Sequence, residues 1–306
     1  MKEGNNMFKI PTMEDADILR QYLQYNTNYG CEYSLANNIL WAEYYNTGFD
    51  IIEENLIFGA LSEVGDLPAS VSFPVGGNDL RKTLDTVFEM YRKAGKQPVI
   101  SSVSKVNFNK IQEWYPDKFE ITYERDNADY IYSSERLAFL AGKKMHAKRN
   151  HINRFTEMFP DYCYEKINDE NYMECVRYAH KWAIKNALMD EGKLYEETII
   201  KKALMNRKKL GLQGALIRLG GEVVAFTLGE YLTDKVFVVH FEKAEADIQG
   251  AYAIINRDFV KNELTDYEYI NREEDLGIEG LRKAKLSYHP DIILEKGTVR
   301  SKMLLE

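Results

Sequence analysis

The side chains best suited to proton transfer lie in the last third of the chain, in a β-rich run over 236–242. Strict alternation along a strand predicts that His240 and Glu242 share one face of it. An imidazole and a carboxylate side by side are typical of general acid–base catalysis. The sequence therefore predicts His240 and Glu242 as proton acceptors, with a buried structural histidine as the alternative interpretation.

A glycine opens the next predicted helix and provides a second kind of chemistry. Free N–H groups at a helix start can bind a phosphate or a carbonyl oxygen, and a glycine lets the ligand come close. The residues predicted to bind the donor here are Gly250, Ala251 and Tyr252. The alternative is a glycine that only caps the helix.

A basic segment, 142–154, carries five Lys/Arg, two His and no acid in a protein whose net charge is −8. Such a cluster predicts phosphate recognition. Lys148 falls within an apolar stripe of the predicted connector helix 134–159, so its ammonium must reach solvent, a carboxylate or a ligand. The alternative is a solvated helix face. The predicted donor-binding cations are Lys143, Lys144, Lys148 and Arg149.

A third polar segment, 269–290, joins a predicted strand to a predicted helix over 276–288. Acids and bases are crowded at this junction, which indicates a polar site. A capped amphipathic helix that ends at Pro290 is the alternative. The predicted substrate-binding residues are Asn271, Arg272, Glu273, Glu274, Arg282, Lys283, Lys285 and Tyr288.

The elements that position these residues repeat along the chain. Both halves are predicted to run from a meander through a helix and a strand to a second helix, and Gly220-Gly221 predicts a hairpin in the second half. The sequence predicts an α/β (α+β) fold of two units, 1–133 and 134–306, each with a mixed, largely antiparallel sheet flanked by helices.

Composition and motifs exclude several classes of protein. With 306 residues and 45% hydrophobic residues, the chain can build two packed cores. It lacks P-loop, Rossmann, zincin and hydrolase-elbow motifs, and no metal site is predicted. Three scattered cysteines and the lack of a signal or spanning segment predict a cytoplasmic protein with reduced thiols.

Three runs, 143–155, 240–253 and 269–290, together resemble a bacterial family related to the C-terminal domain of phosphatidylglycerol lysyltransferase. The resemblance implies two GNAT-type acyltransferase units in tandem, with the acyl donor lying where central strands splay. The loop before Gly250 lacks the [QR]-x-x-G-x-[GA] spacing of acetyl-CoA users, which favours aminoacyl-tRNA over acyl-CoA as donor. The basic segment would then contact the tRNA.

The sequence thus predicts a transferase that moves an aminoacyl or other acyl group to an amine or hydroxyl of a small molecule or lipid headgroup. The alternative function is a non-catalytic module that binds a small anionic ligand or RNA in the cleft between the two units. The oligomeric state is left open.

Overall fold

A computed structural model describes residues 8–62, 67–186 and 191–302, without the side chains of 191–193. The strands are β1 (Thr47–Ile52), β2 (Asn55–Ala60), β3 (Ser70–Val71), β4 (Val99–Ser104), β5 (Phe119–Tyr123), β6 (Asp129–Ser133), β7 (Cys163–Lys166), β8 (Gln213–Leu219), β9 (Glu222–Thr233), β10 (Val236–Ala244), β11 (Tyr269–Asn271), β12 (Ile292–Leu294) and β13 (Lys296–Ser301).

Helices flank the strands in both halves of the chain, and short 3₁₀ turns precede several of them. Within the described ranges, none of these helices is long and apolar enough to cross a membrane. The helices are α1 (Ala16–Leu23), α2 (Leu35–Leu40), α3 (Leu80–Lys93), α4 (Lys105–Trp114), α5 (Ser134–Phe139), α6 (His146–Met158), α7 (Tyr172–Asn186), α8 (Glu191–Met205), α9 (Arg207–Leu210), α10 (Ala251–Glu263) and α11 (Glu279–Leu286).

The chain forms two compact units that are not contiguous in sequence. The first comprises Met1–Asp129, Glu274–Gly277 and Leu294–Glu306, and the second comprises Tyr130–Glu273 and Ile278–Ile293. This division differs from the boundary between residues 133 and 134 that the sequence predicts, because the C-terminal strand β13 pairs with β4 and β5 of the first unit. A strand is assigned to a unit by its hydrogen-bond partners, which sequence order does not reveal.

The first unit has a six-stranded sheet in the order β1-β2-β3-β4-β13-β5. Antiparallel β1, β2 and β3 form the meander, and α3 then leads to β4, which runs parallel to β3. Asp79 begins α3 by accepting hydrogen bonds from the next turn, and the helix buries Leu84, Val87 and Phe88 on the sheet.

The second unit has a seven-stranded sheet in the order β12-β6-β11-β10-β9-β8-β7. The hairpin between β8 and β9 turns at Gly220 and Gly221, both with positive φ, which confirms the glycine signal. Strand β10 leads through α10 to the parallel strand β11. The meander, helix, strand and helix of the first unit recur here, so the predicted tandem of mixed α/β units is confirmed.

The connector predicted as one helix over 134–159 is two helices, so that prediction was wrong. Leu140, with a φ of 50°, ends α5 in the left-handed conformation, and Gly142, with a φ of 86°, redirects the chain before α6. The apolar spacing of the segment is helical throughout, and only the backbone reversal at these positions separates the two helices. Met145, Ile152 and Phe155 remain on the core side.

Candidate functional site

A gap between β10 and β11 brings several of the predicted site residues near one another, within the second unit. The two strands pair in parallel from Val236 to Val238, and no pairing between them follows Asn271. Beyond that point side chains bridge the gap instead of backbone hydrogen bonds. Arg272 reaches Glu242, and Glu273 reaches His240. The gap is therefore lined by polar groups on both sides of the sheet.

A β-bulge in β10 overturns the prediction that His240 and Glu242 share one face. Val239 pairs with Gly229 and Phe241 with Leu228, so His240 is the extra residue between them. An extra residue shifts the alternation of all side chains that follow it. Glu242 consequently faces Asn256 of α10. His240 points to the other face of the sheet, where it contacts Glu230, the residue that pairs with Val238.

His240 lies between two carboxylates. Its Nδ1 is 2.8 Å from Glu273 Oε1, its Nε2 is 2.9 Å from Glu230 Oε1, and its side chain is 1% exposed. Burial alone would lower the pKa of His240, but the hydrogen bonds and charges of the two glutamates outweigh it and raise the pKa to about 10. At neutral pH the imidazole therefore carries a proton already. This geometry does not fit the predicted role of His240 as a proton acceptor.

The opposite face carries an arginine-centred group, here called the Arg272 site: Arg272, Glu242, Asn256, Lys148 and Tyr288. Arg272 Nη2 donates to Glu242 Oε1 at 2.8 Å, and Asn256 Nδ2 donates to Glu242 Oε2 at 3.1 Å. Both carboxylate oxygens of Glu242 are thus occupied. Glu242 positions the arginine and the amide and is poorly placed to accept a further proton.

Two buried polar atoms of the Arg272 site have no hydrogen-bond partner among the described residues. They are Arg272 Nη1, a donor, and Asn256 Oδ1, an acceptor. Leaving such groups unpaired in a folded core costs about 1–3 kcal/mol each, so they point to a ligand that supplies the complementary groups. Asn256 is 2% exposed, which shows that only a group inserted into the site could reach its oxygen.

Lys148 extends from α6 over the face of Tyr288, with its Nζ 3.9 Å from the ring centroid. The guanidinium of Arg272 lies 5.0 Å from the same centroid. Burial and the charge of Arg272 lower the pKa of Lys148 to about 8, although Glu242 acts in the opposite sense. Burial raises the pKa of Tyr288 to about 12. Lys148 is therefore the basic group of the site that can exchange a proton near neutral pH.

Lys285 supports the backbone at the gap, and its predicted contact with the substrate stays a prediction. Its side chain is buried, and its Nζ donates to the carbonyl oxygens of Arg272 at 2.6 Å and Glu273 at 3.1 Å. Asn271 is also buried and accepts from the N–H of Glu273, which has a φ of 58°. Arg282 is half-buried and Lys283 exposed on α11.

Glu274 belongs to a buried cluster of the first unit and not to the Arg272 site. Its Oε2 lies 3.1 Å from Cys31 Sγ, and Lys296 Nζ lies 2.7 Å from Asp129 Oδ1 in the same cluster. Burial alone would lower the pKa of Lys296, but Asp129 and the neighbouring acidic groups raise it well above its usual range. The ammonium neutralises the buried acids, which gives Glu274 a structural role that its sequence neighbours did not indicate.

The basic segment divides into structural and exposed cations. Arg149 donates to the carbonyl oxygens of Leu140 and Gly142 and so satisfies the end of α5. Both bonds use Nη1, so Arg149 has a structural role, and its predicted contact with a phosphate stays a prediction. Lys143 and Lys144 are exposed on the turn before α6 and stay candidates for such a contact.

The start of α10 is explained by packing. Gly250 has a φ of 90°, and a Cβ there would meet the His151 carbonyl oxygen and lie 2.9 Å from Phe155 Cβ. Ala251 is 1% exposed in the core. Tyr252 is 37% exposed and is the only one of the three with a side chain that an external molecule could contact. The glycine therefore permits the close approach of α6.

Replacement of Gly250 by alanine is expected to destabilise the protein by about 1–3 kcal/mol, because the positive φ and the contact with α6 both oppose a side chain. Urea unfolding measures the change. Gly211 also has a positive φ, of 75°, but has open space around it, so Gly211→Ala should cost less. Equal losses in the two variants would contradict the packing explanation.

Three residues of the site were missed by sequence reasoning: Glu230, Asn256 and Tyr132. Glu230 stands inside the strongly apolar strand β9, and an acid in the interior of such a strand signals a buried partner. Asn256 had no comparable signal, because its neighbours on α10 are ordinary helix residues. Tyr132 supports α11 by donating to the Lys285 carbonyl oxygen at 2.8 Å.

The Arg272 site can stabilise a developing negative charge and can move a proton. A guanidinium N–H aimed at a carbonyl oxygen stabilises an oxyanion, and an amine with a pKa of about 8 can accept a proton from a nucleophile. These are the requirements of acyl transfer.

Two solved structures resemble the tandem of mixed α/β units seen here. A conserved protein of unknown function from Bacteroides thetaiotaomicron is 39% identical, with a TM-score of 0.87 over 96% of this chain and 99% of that one. A structure of L-PGS from Bacillus licheniformis has a TM-score of 0.63 at 15% identity, over 97% of this chain and 95% of that one. The latter likeness concerns the fold alone.

A protein from Mycoplasmoides gallisepticum, described as the uncharacterized protein MYCGA3080, is 22% identical over 198 residues. The match spans 61% of each chain. The family model for phosphatidylglycerol lysyltransferase, C-terminal, matches residues 24–298, which is most of the chain. The chain therefore belongs to the phosphatidylglycerol lysyltransferase C-terminal family.

Proposed function

We propose that the protein transfers an aminoacyl group from charged tRNA to the amine or hydroxyl of an acceptor, and that the Arg272 site carries out the reaction. The observation that carries the proposal is the pair of unpartnered buried atoms, Arg272 Nη1 and Asn256 Oδ1, on either side of Glu242. A simple acetyl group offers only an acceptor oxygen. An aminoacyl group offers a carbonyl oxygen that can accept a hydrogen bond from Arg272 Nη1 and an α-ammonium that can donate one to Asn256 Oδ1.

Charge distribution also favours an aminoacyl group. Glu242 lies between the arginine and the amide and is 9% exposed, so its negative charge offsets the positive charge of Arg272 beside the position of an α-ammonium. Arg272 Nη1 then donates to the carbonyl oxygen, which becomes negative when the carbonyl carbon is attacked. The acyl group is thereby oriented by two contacts of opposite polarity.

The reaction is a transesterification when the acceptor is a hydroxyl and an aminolysis when it is an amine. Neither involves oxidation or reduction. The acceptor nitrogen or oxygen attacks the carbonyl carbon, and its proton passes to the neutral amine of Lys148. The ester bond to the ribose breaks, and the proton passes from Lys148 to the ribose oxygen. The acceptor is a small molecule or a lipid headgroup. Under this proposal the protein works in the cytoplasm, where charged tRNA occurs.

The proposal is tested by incubating the purified protein with labelled aminoacyl-tRNA or with labelled acetyl-CoA and a panel of amines, alcohols and phosphatidylglycerol vesicles. Transfer of the aminoacyl label alone is expected. Transfer from acetyl-CoA alone would overturn the choice of donor, and retention of tRNA without transfer to any acceptor would indicate a binding module.

Lys148→Gln should reduce single-turnover transfer strongly, because the proton acceptor is lost. Since the pKa of Lys148 is about 8, the wild-type rate should rise roughly tenfold per pH unit below 8 and level off above it. Rates from pH 6 to 9 measure this. Lys261→Gln, at an exposed lysine of α10, serves as the control. An unchanged pH profile in Lys148→Gln would remove Lys148 from the reaction.

A further inference from the structure

A second basic segment of the second unit lies outside the Arg272 site. Residues 201–210 carry five Lys/Arg and no acid, in a protein with a net charge of −8. Lys201 and Lys202 are exposed at the end of α8, and Lys208 and Lys209 are exposed on α9. The segment is therefore a local positive surface on an acidic protein.

An open cavity of about 470 Å³ lies at this surface and is lined by Arg207, Lys208, Lys209, Tyr172 and Asp169, among others. Arg207 is 7% exposed, and its guanidinium stacks 4.3 Å from the centroid of the Tyr172 ring. A buried, stacked guanidinium is oriented before any ligand arrives, which lowers the entropic cost of binding.

Asp169 occupies the position that an anionic ligand would take. Its Oδ1 accepts from Arg207 and its Oδ2 from Lys208, although 62% of its side chain is exposed. Asp169 thus pairs with two of the basic side chains that line the cavity. A phosphate, which carries more oxygens than a carboxylate, can replace Asp169 on the same donors.

We propose that the segment 201–209 and the cavity beside it bind the phosphate backbone of the donor tRNA, away from the aminoacyl end. This inference rests on the proposed function. An RNA fits better than a lipid surface, because interfacial segments combine cations with several exposed apolar side chains, and the cavity has only Met205 of that kind. Tyr172 also provides a ring beside the cations, as in single-strand RNA sites.

The test measures binding of an unacylated tRNA transcript at several salt concentrations. The slope of log K against log salt should fall in magnitude by about 1.4–1.8 in Lys208→Ala/Lys209→Ala, because about 0.7–0.9 is lost per phosphate contact. The double variant Lys105→Ala/Lys118→Ala removes two exposed lysines of the first unit and should leave the slope unchanged. Asp169→Asn should tighten binding, since it removes the competing carboxylate.

An unchanged slope and affinity in Lys208→Ala/Lys209→Ala would overturn the inference, and so would weaker binding in Asp169→Asn with an unchanged melting temperature. Binding to anionic vesicles is measured in parallel. If Lys208→Ala/Lys209→Ala lost vesicle binding but bound the tRNA transcript as the wild type does, the inference would be overturned and a lipid surface indicated. Because the transcript carries no aminoacyl group, the result does not depend on transfer. Transfer with an unaltered KM for charged tRNA in the double variant would leave the proposed function standing and contradict only this inference.

Discussion

Arg272→Lys is expected to lower the single-turnover rate of aminoacyl transfer by about 10²–10³-fold, the usual cost of losing one oxyanion donor. A lysine can keep the ion pair with Glu242, which now measures 2.8 Å, but it has no second nitrogen in the position of Nη1. The stability of the variant should therefore stay close to that of the wild type. Single-turnover rates and thermal unfolding measure the two effects.

Arg218 provides a matched control for this substitution. It also lies in the second unit and pairs with Glu165 at 2.9 Å and Glu174 at 2.6 Å. Arg218→Lys should weaken these ion pairs without altering the transfer rate. If Arg272→Lys retained the full rate, or if both variants lost rate equally, Arg272 Nη1 would have no special part in catalysis.

His240→Gln is expected to destabilise the protein by about 3–5 kcal/mol at pH 7, because it removes the positive charge between the buried carboxylate of Glu230 and the partly buried one of Glu273. Glutamine is close in size to histidine, so the loss of unfolding free energy reflects the missing charge more than a change in packing. Equilibrium urea unfolding gives the free energy directly. The second change Glu230→Gln should restore part of the loss, since it removes one of the two carboxylates.

The His240 imidazole also determines how stability should change as the pH becomes alkaline. The pKa of His240 is about 10 in the folded protein and 6.5 for an unperturbed histidine, so the folded state binds the proton more tightly. The stabilisation is complete below pH 6.5 and is lost as the pH rises through 10. The wild type should therefore lose its advantage over His240→Gln between pH 7 and 10. A difference that stays constant over that range would show that His240 is not held as an imidazolium.

The sequence predicted which polar residues form the candidate site, because each polar run lies at the end of a recognisable strand or helix. His240, Arg272 and Lys148 do lie around one gap in the second sheet. Their roles could not be predicted, because a role depends on which group lies opposite. An isolated histidine can accept a proton at neutral pH, whereas two glutamates from other elements hold His240 as a cation at that pH.

Periodicity and the glycine pair were enough to predict the recurring order of meander, helix, strand and helix and the hairpin of the second half, since these follow from local backbone preference and the burial of apolar faces. The tertiary structure decided what lies far apart in sequence. It placed β13 in the first unit, moved His240 and Glu242 to opposite faces by one bulge, and brought Lys148 over Tyr288. The physical reason is that strand pairing, a one-residue bulge and the desolvation of a charge all depend on non-local contacts, which carry no local sequence signal.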